Sequence, residues 1–507
     1  MTPALMIMKT SVASSFHSQE GLRNAGSVRC RKPQLSRLLS LGGIVTVGAL
    51  AGCSLPAVGP DYRTPTTSAP STYKDNSAPL SPSADSRVAS DWWRDFGDTD
   101  LNACIDQALK ENQGIKGALA RVEQARALTG QARAAYLPMV GATGLATREQ
   151  TSETVTNQFQ HSLTTSYRLP LTLSWELDLF GRVRRLSESA QAGFVASQEL
   201  AEATRLSVVA ETASAYFALA ATDQERRIVE ETLALQKEML TLVEARREAG
   251  RASDLAFEQA RLAVASSEAD LAAVESRRSA LKNGLAVLLG QAAPDFEVGE
   301  RAQLKGPLPQ VPVGLPSELL LRRPDLAAAE SGMKAANAQI GVAKAAFFPA
   351  ISLTGSAGYA SAEVSDLFQR DSRAWAIGPS VYLPLFQGGR NRANYQRSQA
   401  TYEEAIAGYR QTALNAFREV QDALTASQRL TEQSEAITRA VANARRAREL
   451  AEERYRAGGT SYLEVIDAQR IALAVERSAA AITGQRWITR VTLIRALGGG
   501  WERSAAM

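Results

Sequence analysis

The chain has 507 residues, 45% of them hydrophobic, and a formal net charge of +4; this length suits two or three ordinary domains or one elongated duplicated unit. Residues 1–52 contain six basic residues and one acidic residue, so the positive charge belongs to this segment and nucleic-acid binding lacks electrostatic support. The sequence has two histidines and no cluster of cysteine, histidine and carboxylate residues at metal-ligand spacing. This composition disfavours a metal site, a cofactor or an enzyme.

Residues 1–52 are predicted to be a signal peptide. Basic residues up to Arg37 precede the apolar run Leu38–Leu50 and the small residues that follow it, which is the order found in export signals. Leu50-Ala51-Gly52-Cys53 also resembles the bacterial lipobox, so we expect Cys53 to carry lipid and begin the mature chain, and Ser54 fits sorting to the outer membrane. The alternatives are an ordinary signal peptide with an incidental cysteine, or a transmembrane anchor, for which the apolar run is short.

Residues 53–90 are predicted to be a lipidated tether. They are rich in proline, serine, threonine and alanine and lack the periodicity of a core-forming element. Cys104 follows on a predicted amphipathic helix, where a small buried apolar residue is a simpler interpretation than a reactive thiol. No disulfide framework is predicted.

Residues 91–290 form the first of two predicted structural repeats. A helix over Leu101–Tyr136 leads into two strands, Pro138–Thr147 and Leu163–Leu179, with a polar loop between them. The helix Gly181–Glu248 follows; it contains no proline, and its roughly 68 residues would span about 100 Å. Its apolar residues recur at alternating spacings of three and four, which predicts coiled-coil packing. The helix Ser253–Leu289 then returns antiparallel to it.

The second repeat, residues 317–501, has the same predicted order. It follows a proline-rich connector over residues 291–316 and precedes a C-terminal tail over residues 502–507. The predicted elements are a helix beginning at Arg323, strands over Ala350–Ala360 and Trp375–Phe386, and helices over Gly389–Ala457 and Ser461–Leu497.

Matching motifs support a duplication. Before each strand pair an alanine-rich helix meets an aromatic residue and then Pro138 or Pro349; proline ends the helix and favours extended backbone before it. The helical corners Ala249–Leu255 and Ala457–Leu463 lie 208 residues apart, as do Arg182 and Arg390. A constant offset over this span indicates an internally duplicated chain.

The predicted strands place a requirement on assembly. Four strands per chain are too few to close a barrel, since about eight is the smallest workable number, and open sheet edges are not tolerated in lipid. If the strands meet a membrane, the chain must therefore oligomerise. Three copies would give a 12-stranded barrel, and the long helical hairpins would continue below it as a tube.

Several motifs resemble the TolC-like outer membrane factors, specifically the lipoprotein branch that serves resistance-nodulation-division efflux systems. The resemblance covers residues 53–501 and rests on four motifs: Arg323-Pro324-Asp325-Leu326, Ala345-Ala346-Phe347-Phe348-Pro349, Leu383-Pro384-Leu385-Phe386 with Gly388-Gly389-Arg390, and Glu176-Leu177-Asp178-Leu179-Phe180-Gly181-Arg182. The fold class it implies is mainly α with a transmembrane β part: a homotrimer with a 12-stranded outer membrane β-barrel and a long periplasmic α-helical barrel.

The resemblance also implies partners and a role. The channel would be held in the outer membrane by its barrel and by lipid, with a large periplasmic portion. It would dock on a periplasmic adaptor (membrane fusion) protein and an inner-membrane resistance-nodulation-division transporter. Drugs or other small compounds would leave passively through its lumen, with no cofactor and no catalysed reaction. Two alternatives remain open: an exit duct for a protein or a metal ion, and a trimeric structural lipoprotein that conducts nothing.

Two sets of site residues follow from the resemblance. The helical corners would form the periplasmic tip that contacts the adaptor, although they also fit ordinary hairpin corners; their residues are Gly250, Arg251, Ser253, Asp254, Gly458, Gly459, Ser461 and Tyr462. Glu464 and Asp467, three apart on one helix face, would form a carboxylate ring that constricts the periplasmic gate, with Tyr455 linked to it. A solvated helix face is the alternative, and Glu464 departs from the aspartate of the best-known form.

Overall fold

A computed structural model describes residues 57–66, 69–74, 88–152, 154, 163–300, 304, 306–312 and 316–503. The predicted signal peptide, Cys53 and the end of the C-terminal tail lie outside the described residues. Eight α-helices and five β-strands are found in the described part of the chain. The helices are α1 Thr99–Glu111, α2 Gln113–Ala134, α3 Arg182–Glu248, α4 Asp254–Leu288, α5 Pro316–Arg322, α6 Pro324–Ala345, α7 Arg390–Arg456 and α8 Tyr462–Ala496. The strands are β1 Met139–Ala142, β2 Leu145–Gln150, β3 Leu163–Leu177, β4 Ala350–Ser361 and β5 Arg373–Tyr382.

The strands form one antiparallel sheet. β3 lies at its centre beside β4, β5 follows β4, and β1 and β2 both pair with the other side of β3. The predicted strand Pro138–Thr147 is therefore one pass in two segments, in a single register: Ala142 faces Leu171 and Leu145 faces Arg168. Between them, Thr143 donates to the oxygen of Pro170 at 3.1 Å. Pro170 has no N–H to donate in return, which explains the gap.

The long helices confirm the predicted duplication. α3 and α7 have 67 residues each, and α4 and α8 have 35 each. Every bound of the second hairpin lies 208 residues after its counterpart in the first. α3 packs against α4 and α8, and α7 packs against α8. No helix in the described ranges is both long enough and apolar enough to cross a membrane.

The predicted single helix Leu101–Tyr136 is wrong, because the helix breaks at Asn112. This residue has extended backbone, with φ −62° and ψ 125°, and its side-chain oxygen accepts hydrogen bonds from the N–H groups of Gly114 and Ile115. Its amide nitrogen donates to the oxygen of Leu288 at 2.8 Å. Asn112 thus caps a new helix and fixes the break to the end of α4.

The largest core lies where the two repeats meet. Trp92, Phe96 and Phe217 are buried there with Trp487 of α8. The ring centroids of Phe96 and Phe217 are 5.1 Å apart, and those of Phe217 and Trp487 are also 5.1 Å apart. Aromatic pairs at this spacing add to the burial of apolar area, so this cluster holds α3 and α8 side by side.

The motif Arg323-Pro324-Asp325-Leu326 lies at the start of α6, and its structural role follows from the contacts of Arg323. Its guanidinium is buried and bonds to Asp325 at 2.7 Å, to Glu419 of α7 at 2.8 Å and to the oxygen of Ala496 at the end of α8 at 3.1 Å. Pro324 occupies the first helical turn, where its missing N–H costs nothing. The motif therefore ties three helices of the second repeat together.

The described part of the predicted tether lies against the helices. Asp61 pairs with the buried Arg185 at 2.6 Å, the N–H of Val58 donates to the oxygen of Phe180 at 3.1 Å, and Tyr73 is buried beside α7. Gly59 and Gly341 of α6 touch closely: a Cβ on Gly59 would lie 2.6 Å from the Cα of Gly341. These contacts fix a segment whose composition indicated only a linker.

Candidate functional site

The sheet has one apolar face. Residues that face each other across the strands point to the same side, so the register assigns Val140, Leu173 and Gly355 to one face, together with Ile377. Several large side chains of this face are exposed on the chain, among them Val140, Leu171 and Trp375, which is 77% accessible. Its other apolar members are Leu169, Leu171, Trp175, Leu177, Ile351, Leu353, Ala357, Tyr359, Pro379 and Val381. The same face carries Arg148 and Arg373 at its loop end, and the apolar band beside them suits contact with lipid.

The opposite face carries mainly small and polar side chains, with Met139, Leu145 and Tyr382 as its large apolar or aromatic members. Thr172 faces Ser356, and Ser352 faces Ser380, across neighbouring strands. Along β3 and β4 the side chains therefore alternate between an apolar side and a mainly polar side. This is the pattern of a membrane strand whose polar side lines water.

Among the described residues both edges of the sheet are open: β1 and β2 pair on one side only, with β3, and β5 pairs only with β4. An edge strand presents unpaired N–H and C=O groups, and in hydrocarbon each such group costs several kcal/mol. The sheet therefore needs further strands at both edges.

The junction between the sheet and α3 is built from the motif Glu176–Arg182. The guanidinium of Arg182 binds both oxygens of Glu176, at 2.7 and 2.6 Å. Asp178 accepts the backbone N–H groups of Val183 and Arg184 at 3.0 and 2.8 Å. The carboxylate of Asp178 thus satisfies the first turn of α3, and the motif joins the sheet to the helical hairpins.

The far ends of the hairpins form the helical tip, which consists of the two corners and the adjoining helix ends. Gly250 has φ +71° and Gly458 has φ +78°. In both corners the glycine N–H bonds to the oxygen three residues back and the next N–H to the oxygen five residues back, which is the Schellman arrangement. Ser253 accepts the N–H of Ala256 at 3.2 Å and so caps α4.

The tip has a core of its own. Tyr455 and Tyr462 are buried, with ring centroids 5.3 Å apart, and they pack with Met239 and Val243 of α3. The guanidinium of Arg246 lies 4.6 Å from the ring of Tyr455 and donates to two backbone oxygens at the end of α7. The tip of one hairpin is thereby fixed to the tip of the other within the chain.

The predicted docking residues separate into two groups. Gly250, Arg251, Ser253, Asp254, Gly458, Gly459 and Ser461 are exposed at the corners. Tyr462 is 3% exposed, because its ring fills the core of the tip, and its contact with an adaptor stays a prediction. Burial raises the pKa of Tyr462 to about 12.

The predicted gate residues also differ in their surroundings. Glu464 and Asp467 are exposed on the first turns of α8, and Asp467 pairs with Arg470 at 2.9 Å. Tyr455, in contrast, is buried, with the guanidinium of Arg246 over its ring. Sequence reasoning missed Arg246, although a basic residue in the last turn of a helix is a recognised partner for free carbonyl oxygens.

An amphipathic sheet with open edges, continued by long helical hairpins that meet in a shared tip, defines a membrane channel subunit with a helical extension. The chain belongs to the outer membrane efflux protein family, whose sequence model matches residues 104–291 and again residues 315–499. The two matches fall on the two hairpin-bearing halves of the fold.

Relatives and solved structures agree with this family. The chain is 38% identical to outer membrane protein OprJ of Pseudomonas aeruginosa over 424 residues, which cover 82% of this chain and 88% of OprJ. It is 33% identical to the cation efflux system protein CusC of Escherichia coli over 457 residues, or 89% of this chain and 97% of CusC. The crystal structure of the CmeC outer membrane channel of Campylobacter jejuni matches with a TM-score of 0.83 at 27% identity, over 90% of this chain and 96% of CmeC.

Proposed function

We propose that three copies of this chain form the outer membrane exit duct of a tripartite efflux pump. The observation that carries the proposal is the sheet, which has an apolar face, a polar face and two open edges. Four strand passes per copy give 12 in a trimer, enough for a barrel with a water-filled lumen. The apolar face meets lipid and the polar face lines the lumen.

The helical hairpins extend the duct into the periplasm. Their tip docks on a periplasmic adaptor protein, which links the duct to an inner-membrane transporter of the resistance-nodulation-division class. Exposed corner residues, Gly250 to Asp254 and Gly458 to Ser461, supply the contact surface. The duct catalyses no reaction and needs no cofactor, because the inner-membrane transporter supplies the driving force.

The cargo is proposed to be drugs or other small compounds. A second candidate is a metal cation, which is favoured by the 33% identity with the cation efflux system protein CusC. Deleting the gene and measuring susceptibility to a panel of antibiotics and to a panel of metal salts separates the two. Sensitivity to the metals alone would favour the second candidate.

Glu464 and Asp467 are proposed to hold the periplasmic end shut. Both are exposed near the second corner, where threefold symmetry would place six carboxylates around a narrow lumen. Such a ring concentrates negative potential and attracts cations. Tyr455 acts indirectly in this proposal, since its contacts with Arg246 and Tyr462 position the first turn of α8.

Native mass spectrometry in detergent and planar-bilayer recording test the duct. We expect a trimer as the main species and discrete conductance steps after reconstitution. A dominant monomer or dimer contradicts the barrel. A trimer that never conducts, even when the gate residues are replaced, identifies a structural lipoprotein instead.

Lipidation of Cys53 is tested separately by mass spectrometry of the mature N-terminal peptide. We propose that cleavage follows Gly52 and that Cys53 carries acyl chains, because the lipobox-like motif follows a basic and apolar leader. The Cys53→Ser variant should mature poorly, yet its barrel should still insert. An unmodified Cys53 or cleavage at another residue contradicts the proposal.

A further inference from the structure

The helices of the two hairpins follow one another in a row. α4 contacts α3, α3 contacts α8, and α8 contacts α7. The row therefore places a long helix of the first repeat against the return helix of the second. α4 and α7 stand at the two ends of the row.

In the proposed trimer, six hairpins of two kinds alternate around the tube. The hairpins of both repeats have equal helix lengths. Therefore α7 of one copy lies beside α4 of the next copy, in the same way that α3 lies beside α8 within one chain. A contact between the two hairpins of one chain thus has a counterpart between neighbouring copies. The counterpart is found by shifting each residue number by 208.

Two contacts at the tip can be shifted in this way. Glu238 of α3 pairs with Arg456 of α7 at 2.8 Å, and the shift gives Arg446 and Glu248. The charges are exchanged between the two sides, but they remain opposite. Complementary charge at the shifted positions is what an interface between copies requires.

The second contact is the bond from Arg246 to the end of α7. Arg246 donates to the backbone oxygens of Tyr455 and Arg456, both at 2.9 Å. The shifted donor is Arg454, and the shifted acceptors are the oxygens of Arg247 and Glu248 at the end of α3. An arginine thus stands at both positions, and backbone oxygens are available at the end of either helix.

Repetition alone does not produce these pairs. Glu225 of α3 pairs with Arg477 of α8 at 3.0 Å, but the shifted positions hold Gln433 and Ala269, which cannot form an ion pair. Of these two ion pairs, only the tip pair has opposite charges at its shifted positions as well. The opposite charges of Arg446 and Glu248 are therefore evidence for a contact between copies and not a by-product of the duplication.

The shifted residues are available on the surface of a single chain. Glu248 and Arg454 are exposed. The side chain of Arg446 is 61% accessible and, among the described residues, forms its ion pair within its own helix, with Glu449 at 3.2 Å, an arrangement of small energetic value. Arg446 can therefore leave Glu449 and pair with a residue of a neighbouring copy with little loss of free energy.

We propose that Glu248 of one subunit pairs with Arg446 of the next, and that Arg454 donates to the carbonyl oxygens at the end of the neighbour's α3. The inference rests on the proposed trimer. It deepens that function by naming the contacts that close the periplasmic end between subunits.

Cross-linking of paired cysteines tests the proposal on the full-length protein in detergent. The test variant is Glu248→Cys with Arg446→Cys, and the matched control is Glu238→Cys with Arg456→Cys. A short bis-maleimide is used, because two long side chains can hold their Cα atoms beyond the roughly 7 Å that a disulfide allows. Both variants retain Cys104, which is buried. Native mass spectrometry of each variant before cross-linking records the oligomeric state.

We expect the test variant to shift from one-chain bands to two- and three-chain bands on denaturing gels, while the control stays at the mass of one chain. Each single-cysteine variant should give no such bands. A trimer by native mass spectrometry without multi-chain bands overturns the subunit contact and leaves the proposed duct intact. A monomer before cross-linking overturns the proposed trimer itself.

Discussion

Arg246 and Tyr455 join the two hairpins of one chain at their tips. The guanidinium lies 4.6 Å from the aromatic ring and donates to the backbone oxygen of Tyr455 at 2.9 Å. It also donates to the oxygen of Arg456, the last residue of α7. One side chain thus contributes a charge, two hydrogen bonds and ring contact to the end of another helix.

The Arg246→Ala variant should loosen the tip. Hydrogen bonds to a charged group contribute about 2 kcal/mol, so we expect faster amide hydrogen exchange over residues 450–462 and a larger mean conductance. Arg429→Ala serves as the control, since Arg429 is exposed and pairs with Glu432 of its own helix. Unchanged exchange in the Arg246→Ala variant would show that the tyrosine core holds the tip without it.

Replacing Glu464 and Asp467 with glutamine and asparagine should weaken cation selectivity at low salt. Screening shortens the reach of exposed charges to about 3 Å at 1 M salt, so the difference from the wild type should vanish there. Reversal potentials in planar bilayers measure the effect. Glu258→Gln, an exposed carboxylate on α4, is the control; equal selectivity of the double variant and the wild type at low salt would place both carboxylates outside the lumen.

Tyr462→Phe should keep or slightly raise stability, whereas Tyr462→Ala should lower it by about 3–4 kcal/mol. The buried hydroxyl has no hydrogen-bond partner among the described residues, so its removal leaves nothing unsatisfied. Thermal unfolding measures both variants. A large loss on Tyr462→Phe would reveal a partner for the hydroxyl in the assembled protein.

The pKa of Tyr462 predicts a further difference at alkaline pH. Burial raises its pKa from 10.0 to about 12, so the folded state favours the neutral phenol. The stabilising contribution is complete below pH 10 and is lost as the pH rises toward 12. The wild type should therefore lose more stability over this interval than Tyr462→Phe, and parallel curves would contradict the assignment.

Gly341→Ala should release the tether from α6. A Cβ at this position would lie 2.7 Å from the Cγ of Arg185 and 2.9 Å from the oxygen of Val58. Limited proteolysis with mass spectrometry should detect cleavage within residues 57–74 that the wild type resists. Gly332→Ala on the same helix is the matched control, because its Cβ would meet nothing within 4 Å; it should stabilise the helix by about 0.5–1 kcal/mol.

The sequence predicted the long helices well because their signals are local. The absence of proline, the heptad spacing and the glycine corners predicted both ends of α3 and α7 to within one residue of the observed ends. The break at Asn112 was missed because it depends on the oxygen of Leu288, which lies far away in the chain. The predicted strand Trp375–Phe386 runs too far, because β5 ends at Tyr382 although the strand-like composition continues to Phe386.

The site was predicted less completely, for the same reason. Corner glycines and carboxylates can be read from a hairpin sequence, but burial of Tyr462 requires Met239 and Val243 from the other hairpin. The packed tether could not be predicted either, since the whole first repeat and the connector lie between Gly59 and Gly341 in the sequence. Contacts between repeats are set by packing in three dimensions.

Equal helix lengths have a consequence for how this chain can change. α3 and α7 each have 67 residues, so the two corners lie at the same height along the helices. They therefore present an adaptor with a contact surface of uniform height. Deleting one residue from a single copy would raise that corner by about 1.5 Å and turn it by about 100°. A change in the length of α3 is therefore tolerable only when α7 changes by the same number of whole heptads. The return helices α4 and α8 must change to match.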